Sequence, residues 1–319
     1  MSVRLRVLLA RPRGFCAGVD MAVSALDRAL ELFGAPVYAY HQIVHNTYLV
    51  ARYQRRGVVF VDDVRDVPES GTVVLSAHGV APEVRRLADA RRLRTVDATC
   101  PLVHKVHSEA RRFARDGYTI VLVGHRGHDE TLGVMGEAPA QMVLVETVAD
   151  VERLHVRDAG RVAYLTQTTL SVDDAGRVID ALRRRFPAIV GPATEDICYA
   201  TQNRQDAVRT LAPRADRVLV IGSGNSSNSR RLAELGERQG VPTRLVDGPE
   251  ELDASWFIGA RTVLVTAGAS VPEELVQATV AWLQQRFDTE VEEQRGAEET
   301  LRFQLPVVVR PPRVADPVS

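Results

Sequence analysis

Short unbroken apolar runs, rich in valine, alternate along this chain with longer stretches whose apolar residues recur at helical spacing. The first run, Val3 to Leu9, stops at Pro12. A helical pattern follows (Val19, Ala22, Val23, Leu26, Leu30, Phe33) and ends at Gly34. A strand from Pro36 to Tyr40 leads into the polar loop His41-Gln-Ile-Val-His-Asn46 and a short helix. A strand from Gly57 to Asp63, an acidic stretch and a strand from Thr72 to Leu75 come next. The last of these empties into Ser76-Ala-His-Gly79 before another helix.

The same order returns twice. After Cys100 come a helix, the strand Thr119 to Val123 and the loop Gly124 to Glu130. Strands Met142 to Glu146 and Val162 to Leu165 follow, then the loop Thr166 to Ser171 and a helix. After Cys198 come a helix, the strand Arg217 to Ile221 and the loop Gly222 to Ser229. A helix, strands Thr243 to Asp247 and Thr262 to Val265, and the loop Thr266 to Ser270 complete the third pass. The three cysteines that open the passes lie 84 and 98 residues apart. Self-similarity at such a period marks an internal repeat. Continuous apolar strands alternating with helices belong to parallel sheets covered by helices.

The pattern therefore predicts an α/β chain of three pseudo-symmetric units. The units span 1–99, with the N-terminal strand and the tail 300–312 joined to it, then 100–197 and 198–287. Residues 288–319 read as an acidic linker and an extended tail. Leu301-Arg-Phe-Gln-Leu305 and Val307-Val-Val309 are expected to tie back to the first unit, and the residues from Pro311-Pro312 onward to be loose. In open α/β sheets ligands collect beyond the C-terminal strand ends. Here those ends carry His, Glu, Thr, Ser and Asn instead of ordinary turn residues.

Composition narrows the chemistry. The 319 residues are 45% hydrophobic and 25% charged, with a net charge of −1, which argues against a polyanion-binding face. Lys105 is the sole lysine, leaving little room for a Walker loop or Schiff-base chemistry. No apolar run reaches the length of a bilayer span, and the start Met-Ser-Val-Arg lacks a signal-peptide pattern, so a cytoplasmic location is expected. Three distant cysteines do not make a disulfide framework and suit a reducing compartment.

Cys16, Cys100 and Cys198 are the only cysteines, and all three stand just before a helix. Unpaired N–H groups at a helix start favour a thiolate, the form that binds metal. A lone free cysteine is usually a small buried hydrophobe. Three at one position of a threefold repeat can converge on its axis and hold a metal. The pattern is not that of a four-ligand structural zinc. Iron–sulfur clusters take thiolates, normally four. With three, a four-iron cluster keeps one iron without a protein ligand, which favours catalysis over simple electron transfer.

His45, His78 and His128 sit at strand ends, as do Ser226, Ser227, Asn228 and Ser270. Each could serve only as a cap or a turn bond. Together they make a rim of donors from all three units, and Ser226 to Ser229 has the form of a helix N-cap, which suits a phosphate or diphosphate. Glu130 is a carboxylate inside a strand-end loop close to a histidine; in a dry anion-binding cavity it can keep a proton near neutral pH and act as general acid. Thr168, in the matching second loop, can relay a proton or bind a hydroxyl. His41, His104, His107, His125 and His155 read as structural. Gly222-Ser-Gly224 followed by Asp247 mimics a dinucleotide fingerprint, but Ser227 stands where its third glycine should be.

The motifs Arg13-Gly-Phe-Cys-Ala-Gly-Val19, Ile43-Val-His-Asn46, Ser76-Ala-His-Gly-Val80, Asp97-Ala-Thr-Cys-Pro101, Gly127-His128 with Glu130, and Thr166-Gln-Thr-Thr-Leu-Ser171 run in order along the chain. Asp196-Ile-Cys198, Asn203-Arg204-Gln205, Asn225-Ser-Ser-Asn-Ser229 and Thr266-Ala-Gly-Ala-Ser270 complete the series. In these the chain resembles the 4-hydroxy-3-methylbut-2-enyl diphosphate reductase family, the last enzymes of the methylerythritol phosphate route to isoprenoids. The resemblance implies a trefoil around a [4Fe-4S] cluster on Cys16, Cys100 and Cys198. It implies diphosphate binding by His45, His78, His128, Ser226, Ser227, Asn228 and Ser270, with Glu130 as proton donor and Thr168 positioning the substrate hydroxyl. It also implies a two-electron reductive dehydration to isopentenyl and dimethylallyl diphosphate, fed by a ferredoxin- or flavodoxin-type donor. Where members often read His-Pro-Glu-Val, this chain reads His128-Asp-Glu-Thr131. Two rival activities fit the same residues: a non-redox iron–sulfur hydro-lyase acting on a phosphorylated small molecule, and a non-enzymatic iron–sulfur sensor.

Overall fold

In the computed structural model, residues 4–310 are described. Strand β1 (Leu5–Leu9) is followed by helix α1 (Ala17–Phe33), β2 (Val37–Tyr40), α2 (Thr47–Arg55), β3 (Val58–Val61), β4 (Thr72–Leu75), α3 (Pro82–Ala90) and β5 (Arg94–Asp97). The second pass comprises α4 (Pro101–Arg115), β6 (Thr119–Val123), α5 (Asp129–Met135), β7 (Met142–Val145), α6 (Val148–Arg153), β8 (Val162–Thr166) and α7 (Val172–Arg185). The third comprises α8 (Tyr199–Leu211), β9 (Arg217–Ile221), α9 (Ser227–Arg238), β10 (Thr243–Val246), β11 (Thr262–Ala267), α10 (Glu273–Arg286) and β12 (Thr289–Glu293).

The strands form three sheets in the orders β3-β2-β4-β5, β7-β6-β8 and β10-β9-β11-β1-β12. Every pairing between them is parallel. Helices cover both faces, as parallel sheets require. In β4, Val74 points into a core with Leu26 and Leu49, while Val73 and Leu75 point into a second core with Ala88 and Leu93. Both faces of the strand are thus buried, which is why its sequence reads as an unbroken apolar run.

The N-terminal strand departs from expectation. It lies between β11 and β12 in the third sheet, with Arg6 opposite Thr262 and Val7 opposite Val263, not in the first unit. The reason is cyclic. In the first sheet the fourth strand is β5, which leads to Cys100. In the second, Val190 makes a single parallel bridge to Ala163 in the corresponding place, ahead of Cys198. In the third, that place belongs to β1, which leads to Cys16. Each sheet therefore launches the cysteine of the next pass, and the last launches the first. The presumed linker contributes β12 as an edge strand. The tail does return to the first unit: Phe303, Leu305 and fully buried Val309 pack on the core of α1 and β2. The residues from Pro311 onward lie outside the described part of the chain.

Candidate active site

The six polar loops all leave the C-terminal ends of strands, two from each sheet: β2 and β4, β6 and β8, β9 and β11. They meet at one pocket lined by Cys16, Cys100, Cys198, His45, His78, Glu130, Thr168, Ser226, Ser227, Asn228 and Ser270 among others. His128 lies just behind this wall, its ring edge-on to those of His45 and His78. All the residues singled out from the sequence are thus brought together.

Each cysteine is the N-cap of its helix, α1, α4 or α8, and none spends its side chain on capping. Each backbone N–H donates to a carbonyl in the second polar loop of the preceding sheet: Cys16 to Ala269 (3.2 Å), Cys100 to Ala77 (3.0 Å) and Cys198 to Thr168 (3.1 Å). One hydrogen bond, repeated three times, aims three thiols into one space. No disulfide joins them. Burial pushes the Cys100 thiol up to about 12 and Cys198 to about 11, with the nearby Cys16 adding to both. These two thiols resist ionisation unless a cation accepts their charge. The donor set of three thiols, free of side-chain caps and free of disulfides, fits a thiolate-bound metal cluster.

Gly18 leaves room for them. A Cβ at this position would stand 2.5 Å from the Cys100 sulfur and 3.9 Å from that of Cys16. Gly18→Ala is expected to lower the iron content of the purified protein while its circular dichroism stays unchanged. Wild-type iron content in that variant would mean that the sulfur positions tolerate a methyl group.

Two buried charges brace the cysteine turns. Arg204, fully buried, donates to the Gly14 carbonyl (2.7 Å), to the Ala200 carbonyl (2.9 Å) and to Glu299 (2.9 Å), binding the Cys16 turn to α8 and the C-terminal segment. Lys105 pairs with Asp196 at 2.8 Å, and Asp196 accepts from the Thr166 backbone N–H at 2.9 Å, fixing the approach to Cys198. Neither bracing role was visible in the sequence, because both partners lie far away along the chain.

Glu130 is 1% exposed. Its Oε1 accepts from the Thr168 backbone N–H (2.6 Å) and its Oε2 from the Thr168 hydroxyl (2.8 Å). Burial raises its pKa to about 7, with a contribution from Asp196; the two Thr168 bonds act in the opposite direction. The group can thus carry or release a proton near neutrality, as a general acid must.

The opposite wall is built from neutral donors. Ser226 caps α9, and the Asn228 side-chain oxygen accepts from the Ala269 N–H at 2.8 Å. The Ser270 hydroxyl donates to the His45 carbonyl at 2.9 Å, tying the third unit to the first. The rings of His45 and His78 stack at 4.0 Å. Burial lowers the pKa of His45, takes His78 well below its ordinary value and brings His128 to about 4. Nδ1 of His45 and of His78 is buried without a partner. Among the described residues no lysine or arginine lines the pocket. An anion here would meet a helix N-terminus and unspent donors.

Sequence reasoning passed over Thr201, whose hydroxyl lies 3.2 Å from the Cys198 sulfur. Its spacing of three residues after Cys198, one helical turn, was the available signal. It also left His41 as structural, whereas His41 bonds Asp129 at the edge of the site.

A family model described as LytB protein matches residues 7–284. The chain belongs to the LytB family. Among its LytB relatives, a 4-hydroxy-3-methylbut-2-enyl diphosphate reductase from Rhodopirellula baltica is 56% identical over 306 residues, 96% of each chain. A protein of the same name from Hahella chejuensis is 54% identical over 97% of this chain and 99% of its own. The solved E-1-hydroxy-2-methyl-but-2-enyl-4-diphosphate reductase from Plasmodium falciparum superposes with a TM-score of 0.92 at 34% identity, covering 96% of this chain and 97% of that one. The trefoil of three α/β units is therefore that of the LytB fold. Among the described residues no helix is long and apolar enough to cross a membrane.

Proposed function

We infer that this chain is a reductase that removes the allylic hydroxyl of 4-hydroxy-3-methylbut-2-enyl diphosphate, giving isopentenyl and dimethylallyl diphosphate. The observation that carries the inference is the pairing, in one pocket, of three equivalent helix-capping cysteines with a buried carboxyl group poised near neutrality. Two electrons and two protons enter; one proton leaves with the hydroxyl as water and the other ends on carbon.

Cys16, Cys100 and Cys198 would hold a [4Fe-4S] cluster. When bound, such a cluster supplies the electrons and keeps one iron without a protein ligand. The diphosphate is held at the N-terminus of α9 by Ser226, Ser227 and Asn228, and by Ser270, His45, His78 and His128. That placement directs the hydroxyl end toward Thr168 and Glu130. When Glu130 is protonated, the Thr168 oxygen accepts its proton while the Thr168 hydroxyl gives its own to the departing oxygen. The histidine wall, only partly exposed to solvent, limits water at the site. Electrons reach the chain from a ferredoxin- or flavodoxin-type donor, and three unpaired cysteines suit the reducing cytoplasm.

Anaerobic purification tests the central point. About four irons and four sulfides per chain are expected, with a brown colour that fades in air. Turnover of the diphosphate is expected only with a low-potential reductant. Product formation without reductant would establish the hydro-lyase instead, and a cluster with no turnover under either condition would leave a sensor.

A further inference from the structure

Asp129 is the first residue of α5, directly after the N-cap His128. Its carboxylate reaches from the second unit to the first: Oδ1 lies 2.8 Å from Nδ1 of His41, and Oδ2 lies 3.8 Å from Nε2 of His45. His41 holds the left-handed backbone region with φ 56°, a conformation few non-glycine residues adopt. Its ring stacks on Tyr40 at 4.2 Å. Residues kept in such strain are fixed by several contacts at once, and here one of them is the bond to Asp129.

The groups that face His45 are His41 from its own loop, His78 beyond β4, His128 and Asp129 at the start of α5, and Arg230 on α9. Asp62, after β3, faces His41. Of these, only Asp129 brings a negative charge close to His45. An acid at the edge of an anion pocket repels the anion, so its presence calls for a compensating role.

We propose that Asp129, oriented by His41, is the counter-charge that lets His45 take up a proton as diphosphate enters, and so positions the cationic ring for anion binding. The proposal rests on the diphosphate reading of the pocket. Without the ligand, burial holds His45 below its ordinary value, and Asp129 pulls in the opposite direction. His41 is raised, first by its bond to Asp129. Two effects of Asp129 therefore compete. Where His45 is already protonated, Asp129 only repels the ligand. Where His45 is neutral, Asp129 makes its protonation on binding easier. The net effect must therefore shift with pH, moving from repulsion toward assistance as His45 becomes neutral before binding.

Asp129→Pro is a clean probe. Residue 129 is the first residue of α5, after the N-cap His128, and proline is favoured at that position. Asp129→Asn is the isosteric control. Binding of inorganic pyrophosphate to the cluster-loaded protein would be measured calorimetrically at about pH 5 and about pH 8, either side of the ordinary histidine value. Both variants are expected to bind about tenfold more weakly than wild type at the higher pH, the equivalent of one pKa unit at His45. At the lower pH that deficit should shrink or reverse. Proton uptake on binding at the higher pH, read from two buffers of different ionisation heat, should shrink in the variants. A variant-to-wild-type ratio that stays constant with pH overturns this role for Asp129 while leaving the pocket a diphosphate site. Failure of the wild type itself to bind pyrophosphate overturns both.

Discussion

Cys100→Ser is expected to yield a folded chain without its iron. Serine is a good N-cap, so α4 keeps its start and the Cys100 N–H keeps its bond to the Ala77 carbonyl. What is lost is the thiolate, and a hydroxyl does not replace it as a ligand to iron–sulfur clusters. Cys16→Ser and Cys198→Ser should behave alike, because all three residues occupy one position of the repeat and make the same backbone bond. Iron and sulfide counts and visible absorbance check the loss, and far-ultraviolet circular dichroism checks the fold. Full iron in any one of the three variants removes that cysteine from the ligand set.

Glu130→Gln has the second-largest expected effect. Glutamine matches the size of the buried side chain and can still bond Thr168, but it has no proton to give. Turnover should fall by about 10²- to 10⁴-fold, the range for loss of a general acid, with iron content unchanged. The pH dependence gives the sharper check. Burial raises the Glu130 pKa to about 7, so the protonated form dominates below that pH. Wild-type kcat/KM should therefore decline as pH rises through about 7, and the variant should lack that limb. A variant with near-normal turnover, or with the same limb, would transfer the acid role to another group.

Much of this was open to a reader of the sequence. The threefold order of strands, loops and helices was legible because parallel strands buried on both faces leave unbroken apolar runs. The cysteines were legible because three equivalent positions rarely coincide by chance with the only three cysteines. The place of β1 was not legible. Its partners β11 and β12 lie at the far end of the chain, and an apolar run says that a strand is buried without saying beside what. Strand β5 was missed because Arg94-Thr-Val-Asp97 is short and polar at both ends. Asp129 was visible as a departure from the family pattern, but its partner His41 sits 88 residues earlier, beyond the reach of any local rule. Asp196 and Lys105 escaped for the same reason, since an ion pair between distant residues has no periodicity to betray it.

The placement of β1 also bears on how the protein comes off the ribosome. Strand β1 has neither neighbour until β11 and β12, far later in the chain, have been made. Until then Leu5, Val7 and Leu8, all buried in the finished fold, must wait in the open or under a chaperone. The Cys16 turn must wait with them for Ala269, whose carbonyl receives its N–H. Metal loading is thereby confined to the end of synthesis, because the three thiols cannot gather before nearly the whole chain exists.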